Sequence, residues 1–188
     1  MEEFYAEEFK GIDFTEKKIS LGEYEQCIFK NCNFLNTKLS ESKFVGCIFD
    51  DCDFSNAQLS ETSFQEIQFK NCKMLGLRFD DCKPFLLSFS FEKCNLNFSS
   101  FTELKIRETV FKNCQMEEVK FAATDLTNSV FDNCDLSRAI FENTLLEKVD
   151  FRTASNFSII PEINQIQNAK FSSQNIHGLL EKYQIIIE

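Results

Sequence analysis

The chain has 188 residues, of which 43% are hydrophobic, so its length and composition predict a folded domain with a buried core rather than a disordered chain. Its net charge is −10, from 20 basic and 30 acidic residues, which excludes a broadly basic surface for DNA or anionic membranes. No apolar stretch approaches the roughly 18 residues of a membrane span.

The N-terminal segment, MEEFYAEEFK, carries four glutamates and lacks the basic-then-apolar layout of a signal peptide. We therefore expect a cytoplasmic protein. The nine cysteines are an odd number, and the chain is longer than a small disulfide scaffold. Reduced thiols in a cytosolic core are the better interpretation.

An apolar residue recurs at every fifth position from Phe4 to Phe79, and a second run, offset by two, continues from Phe91 to Phe151. The two runs contain 18 of the 23 phenylalanines. A period of five fits neither an α-helix nor a flat strand. It indicates a solenoid, in which each repeat buries its apolar residue against neighbouring repeats.

Small residues tend to lie two positions before each central apolar residue, and all nine cysteines occupy that position. Pairs such as Cys27/Cys47 and Cys94/Cys114 are 20 residues apart, which predicts four five-residue units per turn. Adjacent coils would then be about 4.8 Å apart, as in a hydrogen-bonded sheet. The predicted core is a set of stacked aromatic rings that includes Phe29, Phe34, Phe49, Phe54, Phe111, Phe131 and Phe151.

The triplets CNF (32–34), CDF (52–54), TDL (124–126) and CDL (134–136) resemble the A(D/N)Lxx pattern of the pentapeptide-repeat family. The resemblance covers most of residues 4–171. It implies a right-handed quadrilateral β-helix, so we expect an all-β solenoid of about eight coils. The four-sided coil follows from the periodicity, whereas the handedness is implied by the family.

The two apolar runs are separated by an irregular segment between Phe79 and Phe91, which contains two residues more than two repeats. Pro84 lies in this segment and lacks the N–H group that a strand ladder needs. We expect a kink or bulge there. The predicted organisation is N-terminal coils (1–81), a kink (82–90), C-terminal coils (91–171), and a terminal helix and tail (172–188).

The C-terminal tail has a different pattern, with Ile176, Leu179, Leu180 and Tyr183 at helical spacing. We expect a short helix that covers the open end of the solenoid. In the quinolone-resistance (Qnr-type) branch of the family, a helix of this kind joins two copies end to end. The resemblance therefore implies a homodimer through these four residues, and the alternative is a monomer whose helix is only a cap.

The sequence contains no pattern that predicts a metal site or a catalytic site. Cysteine pairs five residues apart do not match the spacing of structural zinc ligands, and a buried cysteine behaves as a small hydrophobe. The single histidine, His177, lies in the terminal segment, and no phosphate-binding glycine motif is present. We expect a non-enzymatic protein with no metal and no cofactor.

The resemblance to Qnr-type proteins implies DNA gyrase or topoisomerase IV as the partner, bound where DNA would lie, with no direct contact to nucleic acid or membrane. Ten net charges over about 38 Å are less than half the charge density of DNA, so mimicry would depend on local acidic faces. The candidate face contains Asp50, Asp51, Asp53, Asp80 and Asp81. Ordinary solubility is the alternative explanation of these residues.

Two other functions remain open at this point. One is immunity to gyrase-directed toxins, and the other is a scaffold or adaptor with no topoisomerase role. Many plasmid-type Qnr proteins also project extended loops, and this chain has no insertion of that size between residues 4 and 151.

Overall fold

The computed structural model describes residues 2–186 as an all-β parallel solenoid of about seven turns. Two parallel sheets run along it. The four-stranded sheet contains β1 (Glu2–Tyr5), β3 (Gly22–Glu25), β5 (Lys43–Val45) and β7 (Ser63–Gln65). The seven-stranded sheet contains β2 (Glu8–Lys10), β4 (Ile28–Lys30), β6 (Ile48–Asp50), β8 (Ile67–Lys70), β9 (Phe89–Glu92), β10 (Val110–Lys112) and β11 (Val130–Asp132).

Each coil has four faces, which we number in chain order. Face 1 carries the four-stranded sheet and face 2 the seven-stranded sheet, while faces 3 and 4 are joined from coil to coil by isolated bridges such as Asp53↔Lys73 and Lys38↔Gln58. Partners are 20 residues apart, as in Phe29↔Phe49, which confirms the predicted stacking. The sequence predicted about eight coils, and the structure has about seven turns.

The residue before each central apolar residue tends to differ between the faces that form strands and the faces that form turns. On face 2 this residue is often β-branched, as at Ile28, Ile48, Val110 and Val130, and the face is a strand. On face 3 it is often Asp or Asn, whose side chain accepts the N–H two residues later, as from Ser55 to Asp53 (2.9 Å). That bond closes a turn in place of a strand.

Asp150 shows the same rule within face 2. It occupies the position of Val130 one coil later, and its carboxylate accepts the N–H of Arg152 at 3.1 Å. The seven-stranded sheet ends at β11, one coil before Asp150. A single aspartate therefore coincides with the change from strand to turn.

The corners between faces require a left-handed backbone. Asn31, Asn71 and Asn113 all have φ of 51–54° at the corner between faces 2 and 3. Asparagine adopts this conformation more readily than most other non-glycine residues, because its short side chain bonds locally to the backbone. The frequent Asn two positions after the central residue thus encodes the corners.

The predicted core residues are buried: Phe29, Phe34, Phe49, Phe54, Phe111, Phe131 and Phe151 are 0–1% exposed. Rings in successive coils are nearly parallel, as for Phe111 and Phe131, whose centroids are 4.9 Å apart. Rings on adjacent faces meet edge to face, as for Phe111 and Phe121 at 6.1 Å. Both arrangements are favoured by the quadrupole of the ring.

The two additional residues near Pro84 form an outward bulge on face 1. Phe69 pairs with Phe91, a separation of 22 residues, so the seven-stranded sheet runs on without a break from β8 to β9. Residues 83–86 are all exposed, including 73% of Phe85 and 63% of Leu86. The bulge is confined to one face, and the core column beside it stays continuous.

The C-terminal segment differs from the single helix predicted above. It forms two 3-10 turns, Ile176–Leu179 and Glu181–Tyr183, and further 3-10 turns occur at Phe79–Asp81 and Pro161–Ile163. Gly178 explains the difference, because a Cβ atom there would lie 2.4 Å from the Phe157 carbonyl oxygen. The segment therefore packs closely through a residue that disfavours an α-helix.

Candidate partner-binding surface

The three aspartates Asp50, Asp51 and Asp53 lie near the corner between faces 2 and 3. In the strand ladder Asp50 stands between Lys30 and Lys70, so cations flank it in both neighbouring coils. Asp51 is exposed at the corner itself, with φ of 55°. This stretch is less acidic in the folded protein than in the sequence.

Asp53 is held by its neighbours. Its Oδ2 atom lies 3.4 Å from Lys73 Nζ, and its Oδ1 atom accepts the Ser55 N–H at 2.9 Å. Partial burial alone would raise the pKa of Asp53, but the hydrogen bonds from Ser55 and the charge of Lys73 outweigh it and lower the pKa. The carboxylate is therefore ionised at neutral pH and already paired.

Asp80 and Asp81 lie on face 4 and at the corner between faces 4 and 1, diagonally opposite the first three aspartates. Arg78 is 2.9 Å from Asp80 and 3.3 Å from Asp81. Since the two groups are on opposite sides of the solenoid, one flat partner surface cannot contact both.

A column of four exposed carboxylates runs along the corner between faces 4 and 1. It contains one acidic residue per coil in four successive coils, Glu41, Glu61, Asp81 and Glu103. We call this column the acidic corner. Backbone bonds hold its members in register, as from the Glu61 N–H to the Asp81 carbonyl (3.1 Å). At about 4.8 Å per coil, its charge spacing approaches the 3.4 Å of one DNA strand.

Two cations lie beside the acidic corner. Arg78 contacts Asp81, and Lys83 Nζ lies 3.9 Å from Glu61. These pairs are solvent-exposed, so each contributes little and is readily exchanged for a partner's cation. Glu41 and Glu103 form none of the ion pairs found among residues 2–186.

The sequence contains a signal for the acidic corner in the spacing of its acidic residues, although these residues are not adjacent in the chain. Glu41 and Glu61 are 20 residues apart, and Asp81 and Glu103 continue the series across the bulge with a spacing of 22. Charged residues that are one coil apart in the sequence lie next to each other in the folded solenoid. Only Asp81 of this column was among the predicted site residues.

The bulge lies next to the acidic corner. The contact between Lys83 and Glu61 joins the two, and Phe85 and Leu86 follow directly. An exposed aromatic and an exposed aliphatic side chain thus stand beside a row of carboxylates. This combination can bind a surface that has basic side chains around an apolar pocket.

The cysteines are buried and unpaired. Six of them stack along face 3, at Cys32, Cys52, Cys72, Cys94, Cys114 and Cys134. The Cys47 thiol donates to the Tyr24 carbonyl at 3.2 Å, and burial raises the pKa of Cys47 to about 12. Burial likewise raises the pKa of Cys82. For Cys47 and Cys82, burial therefore disfavours the thiolate, which is the reactive form.

The predicted dimer residues lie at the C-terminal end. Leu179 packs against the core, whereas Ile176 is partly exposed and Tyr183 is about half exposed. Tyr183 donates a 2.5 Å hydrogen bond to Glu162, which also pairs with Lys182. The exposed side chains Ile163, Ile185 and Ile186 extend this apolar end of the solenoid.

Residues 2–186 contain no group of three or more His, Cys, Asp or Glu side chains arranged to hold a metal. No helix in that range has the length and apolar character needed to span a bilayer.

Solved structures resemble this fold. The chain is similar to a trypsin-treated variant of QnrB1, described as a plasmid-mediated fluoroquinolone resistance protein, with a TM-score of 0.64 and 16% identity over 97% of this chain and 99% of that chain. It is also similar to HetL, a pentapeptide-repeat protein involved in heterocyst differentiation regulation from the cyanobacterium Nostoc, with a TM-score of 0.42 and 15% identity over 89% of this chain and 86% of that chain. At 16% identity the similarity to the QnrB1 variant is one of fold.

No curated protein matches the chain in sequence. A family model for the pentapeptide repeat region matches residues 22–89 and 86–155, which is well over half of the chain. These matches agree with the period of five, the four-faced coil and the stacked core. The chain belongs to the pentapeptide-repeat family.

Proposed function

We propose that this protein is a non-enzymatic, DNA-mimicking binding protein whose partner is a type II topoisomerase, DNA gyrase or topoisomerase IV. It occupies part of the surface that binds DNA and thereby modulates the enzyme or protects it from quinolones. The fold similarity to QnrB1 along nearly the whole of both chains supports this class of partner.

The observation that carries the proposal is the acidic corner. Its four carboxylates span three coil steps, about 14 Å, along one corner of the solenoid. A surface that binds DNA must present cations at the spacing of phosphates. The line of carboxylates offers those cations a similar spacing, although the net charge of the whole chain is too low for mimicry along its full length.

The backbone conformation at these residues is unfavourable for glutamate. Glu41, Glu61 and Glu103 have φ of 60–68°, a region where glycine or asparagine is less strained. Asparagine stands at many other corners of this solenoid, so it is compatible with the fold. Replacing the three glutamates with asparagine should therefore remove charge without loss of stability.

We also propose that two copies associate through the C-terminal end, with Ile176, Leu179, Leu180 and Tyr183 in or near the contact. The exposed apolar side chains at this end support the proposal, since a monomer would leave them in water. Sedimentation velocity should give the mass of a dimer at micromolar concentration. A monomeric mass would contradict this part.

The decisive experiment is a supercoiling assay with purified gyrase, titrated with this protein in the presence and absence of ciprofloxacin. We expect inhibition of supercoiling, protection from the drug, or both, and binding that weakens as salt rises because exposed charges are screened. The absence of inhibition, protection and binding to either gyrase subunit would refute a topoisomerase role. A toxin-immunity or scaffold function would then be the remaining class.

Charge variants test the role of the acidic corner in binding. The triple variant Glu41→Asn, Glu61→Asn and Glu103→Asn should weaken binding about tenfold or more, by loss of three ion pairs at a protein interface. A matched control replaces Glu66, Glu108 and Glu118, which also have positive φ but lie at other corners, with asparagine. Equal effects of the two triple variants would show that net charge matters and the acidic corner does not.

A further inference from the structure

The N-terminal end of the solenoid presents an open strand edge. β1 and β2 end their sheets, and each pairs with a strand on one side only within residues 2–186. Ala6 donates its N–H to the Glu25 carbonyl at 2.9 Å, on the paired side. The backbone N–H and C=O groups of successive residues point to opposite edges of a strand. Those of Glu3 and Tyr5 therefore face the open edge.

The same holds for β2. The Gly11 N–H donates to the Lys30 carbonyl at 2.9 Å, on the paired side of β2. The backbone N–H and C=O groups of Glu8 and Lys10 therefore face the open edge. The other end of the solenoid is covered, because the Ile159 N–H donates to the Gly178 carbonyl (2.9 Å) of the 3-10 segment. The edge at the N-terminal end is therefore the natural place for one more strand.

An added strand would also contact an apolar surface, formed by Phe4 and Phe9. Phe4 and Phe9 are half-buried, and each stacks on a ring of the next coil, at 4.6 Å to Tyr24 and 4.7 Å to Phe29. Their other faces have no ring below them among the described residues. An inward-pointing aliphatic side chain from an added strand would cover them and bury further apolar area.

The charge of the protein is concentrated at this edge. Residues 2–25 contain eight acidic and three basic residues, so half of the net charge of −10 lies in the first coil and the first strand of the second. Glu2, Glu3, Glu7 and Glu8 are all exposed on β1, on β2 or between them. Such a row of like charges disfavours pairing with a second copy through the same edge.

Tyr5 adds a site for a cation. Its ring is exposed beside an open depression of about 490 Å³ that is lined by Glu3, Phe4, Glu23 and Glu25 as well. Glu23 is already bound by Lys43 at 2.5 Å, so Glu3 and Glu25 remain to accept a further cation. A lysine or arginine of an added strand can lie over the Tyr5 ring and reach these carboxylates.

We propose that the N-terminal edge binds an extended segment of a partner protein in which basic and aliphatic residues alternate. The segment adds as a parallel strand beneath β1. Its aliphatic residues point inward onto Phe4 and their N–H and C=O groups pair with Glu3 and Tyr5. Its basic residues point outward to the glutamates. This site is separate from the acidic corner and does not depend on the topoisomerase proposal.

The test uses an acetylated and amidated heptapeptide of alternating valine and lysine, with binding measured by calorimetry. We expect it to bind about tenfold or more tightly than the valine–glutamate counterpart. N-methylation of the valines removes the donors that face β1 and should abolish binding. N-methylation of the lysines should leave binding intact, because those N–H groups point away from the solenoid.

Variants locate the site. Glu3→Lys with Glu8→Lys should weaken the lysine peptide about tenfold, whereas Glu41→Lys with Glu61→Lys, the same charge change at the acidic corner, should leave it within about twofold. Amide NMR shifts should be confined to β1, β2 and the strands next to them. Equal binding of the two N-methylated peptides, or a loss only in the acidic-corner variant, would overturn the proposal.

Discussion

Replacing Phe111 with alanine removes one ring from the middle of the stacked core. Phe111 is 0% exposed and lies parallel to Phe91 and Phe131, with centroids 5.2 and 4.9 Å away. It also meets Phe101 and Phe121 edge to face at 6.0 and 6.1 Å. The substitution therefore removes two stacked and two edge contacts and leaves a closed cavity.

The expected cost follows from these contacts. Truncation of a buried phenylalanine to alanine lowers the free energy of unfolding by about 3–5 kcal/mol. Aromatic pairs add about 0.5–1.5 kcal/mol beyond burial, so four pairs place Phe111→Ala near the upper end, at about 4–5 kcal/mol. That is a large share of the roughly 5–15 kcal/mol that stabilises a typical domain.

Urea denaturation followed by far-UV circular dichroism measures this loss. Phe9→Ala is the matched control, because Phe9 is half-buried and belongs to the same column but lies at the open end. Its cost should be about 1–2 kcal/mol. If the two substitutions cost the same within about 0.5 kcal/mol, the stacked column is not the main source of stability and the reasoning fails.

Three further predictions concern the thiols, the strand rule and the C-terminal segment. The buried cysteines should not react with Ellman's reagent at neutral pH, and all nine should react in concentrated guanidinium. Asp150→Val should extend the seven-stranded sheet by one strand and change stability by less than about 1 kcal/mol, with NMR shifts of residues 150–152 moving to strand values. Hydrogen bonds from Lys182 and Tyr183 lower the pKa of Glu162 from 4.5 to about 2. Their stabilising effect should thus be present above pH 4.5 and be lost as pH falls towards 2, as followed by the Tyr183 ring resonances.

Each of these predictions has a contrary outcome. Rapid reaction of several thiols in the folded protein would show that the core around the buried cysteines opens readily. Turn-like shifts that persist in Asp150→Val would show that the neighbouring coils, and not this residue, select the turn. Glu162→Gln should abolish the acid-dependent change of Tyr183, and an unchanged titration would assign it to another group.

The repeat itself was readable from the sequence because the residue at each central position is selected by packing that recurs every turn. Phe49 meets Phe29 and Phe69 in the coils on either side, at 4.7 and 5.3 Å, so all three experience the same surroundings. Local chemistry repeats for the same reason. Asparagine at the corners and aspartate in the turns each satisfy a backbone requirement that is met anew in each coil.

The terminal segment was less predictable. Its helical spacing was real, but Gly178 lies against the Phe157 carbonyl, and this contact exists only when the last coil is in place. The segment forms two 3-10 turns with this packing. The low helix propensity of glycine and the close tertiary contact both disfavour the single helix.

The acidic residues also show what could be predicted from the sequence and what could not. The sequence predicted a face from charges that adjoin in the chain, yet Asp50 stands between Lys30 and Lys70 in neighbouring coils. The acidic corner, in contrast, is built from residues 20 or 22 positions apart, which meet only through coil stacking.

By itself, the sequence determined the solenoid, its four faces, its aromatic core and the inward position of its cysteines, because these follow from a period repeated along the chain. The tertiary structure decided where the additional residues near Pro84 would go, which carboxylates are paired with cations, and that β1 and β2 are paired on one side only among residues 2–186. Those properties depend on the residues in the coils above and below. The distances between them are set by winding and not by position in the chain.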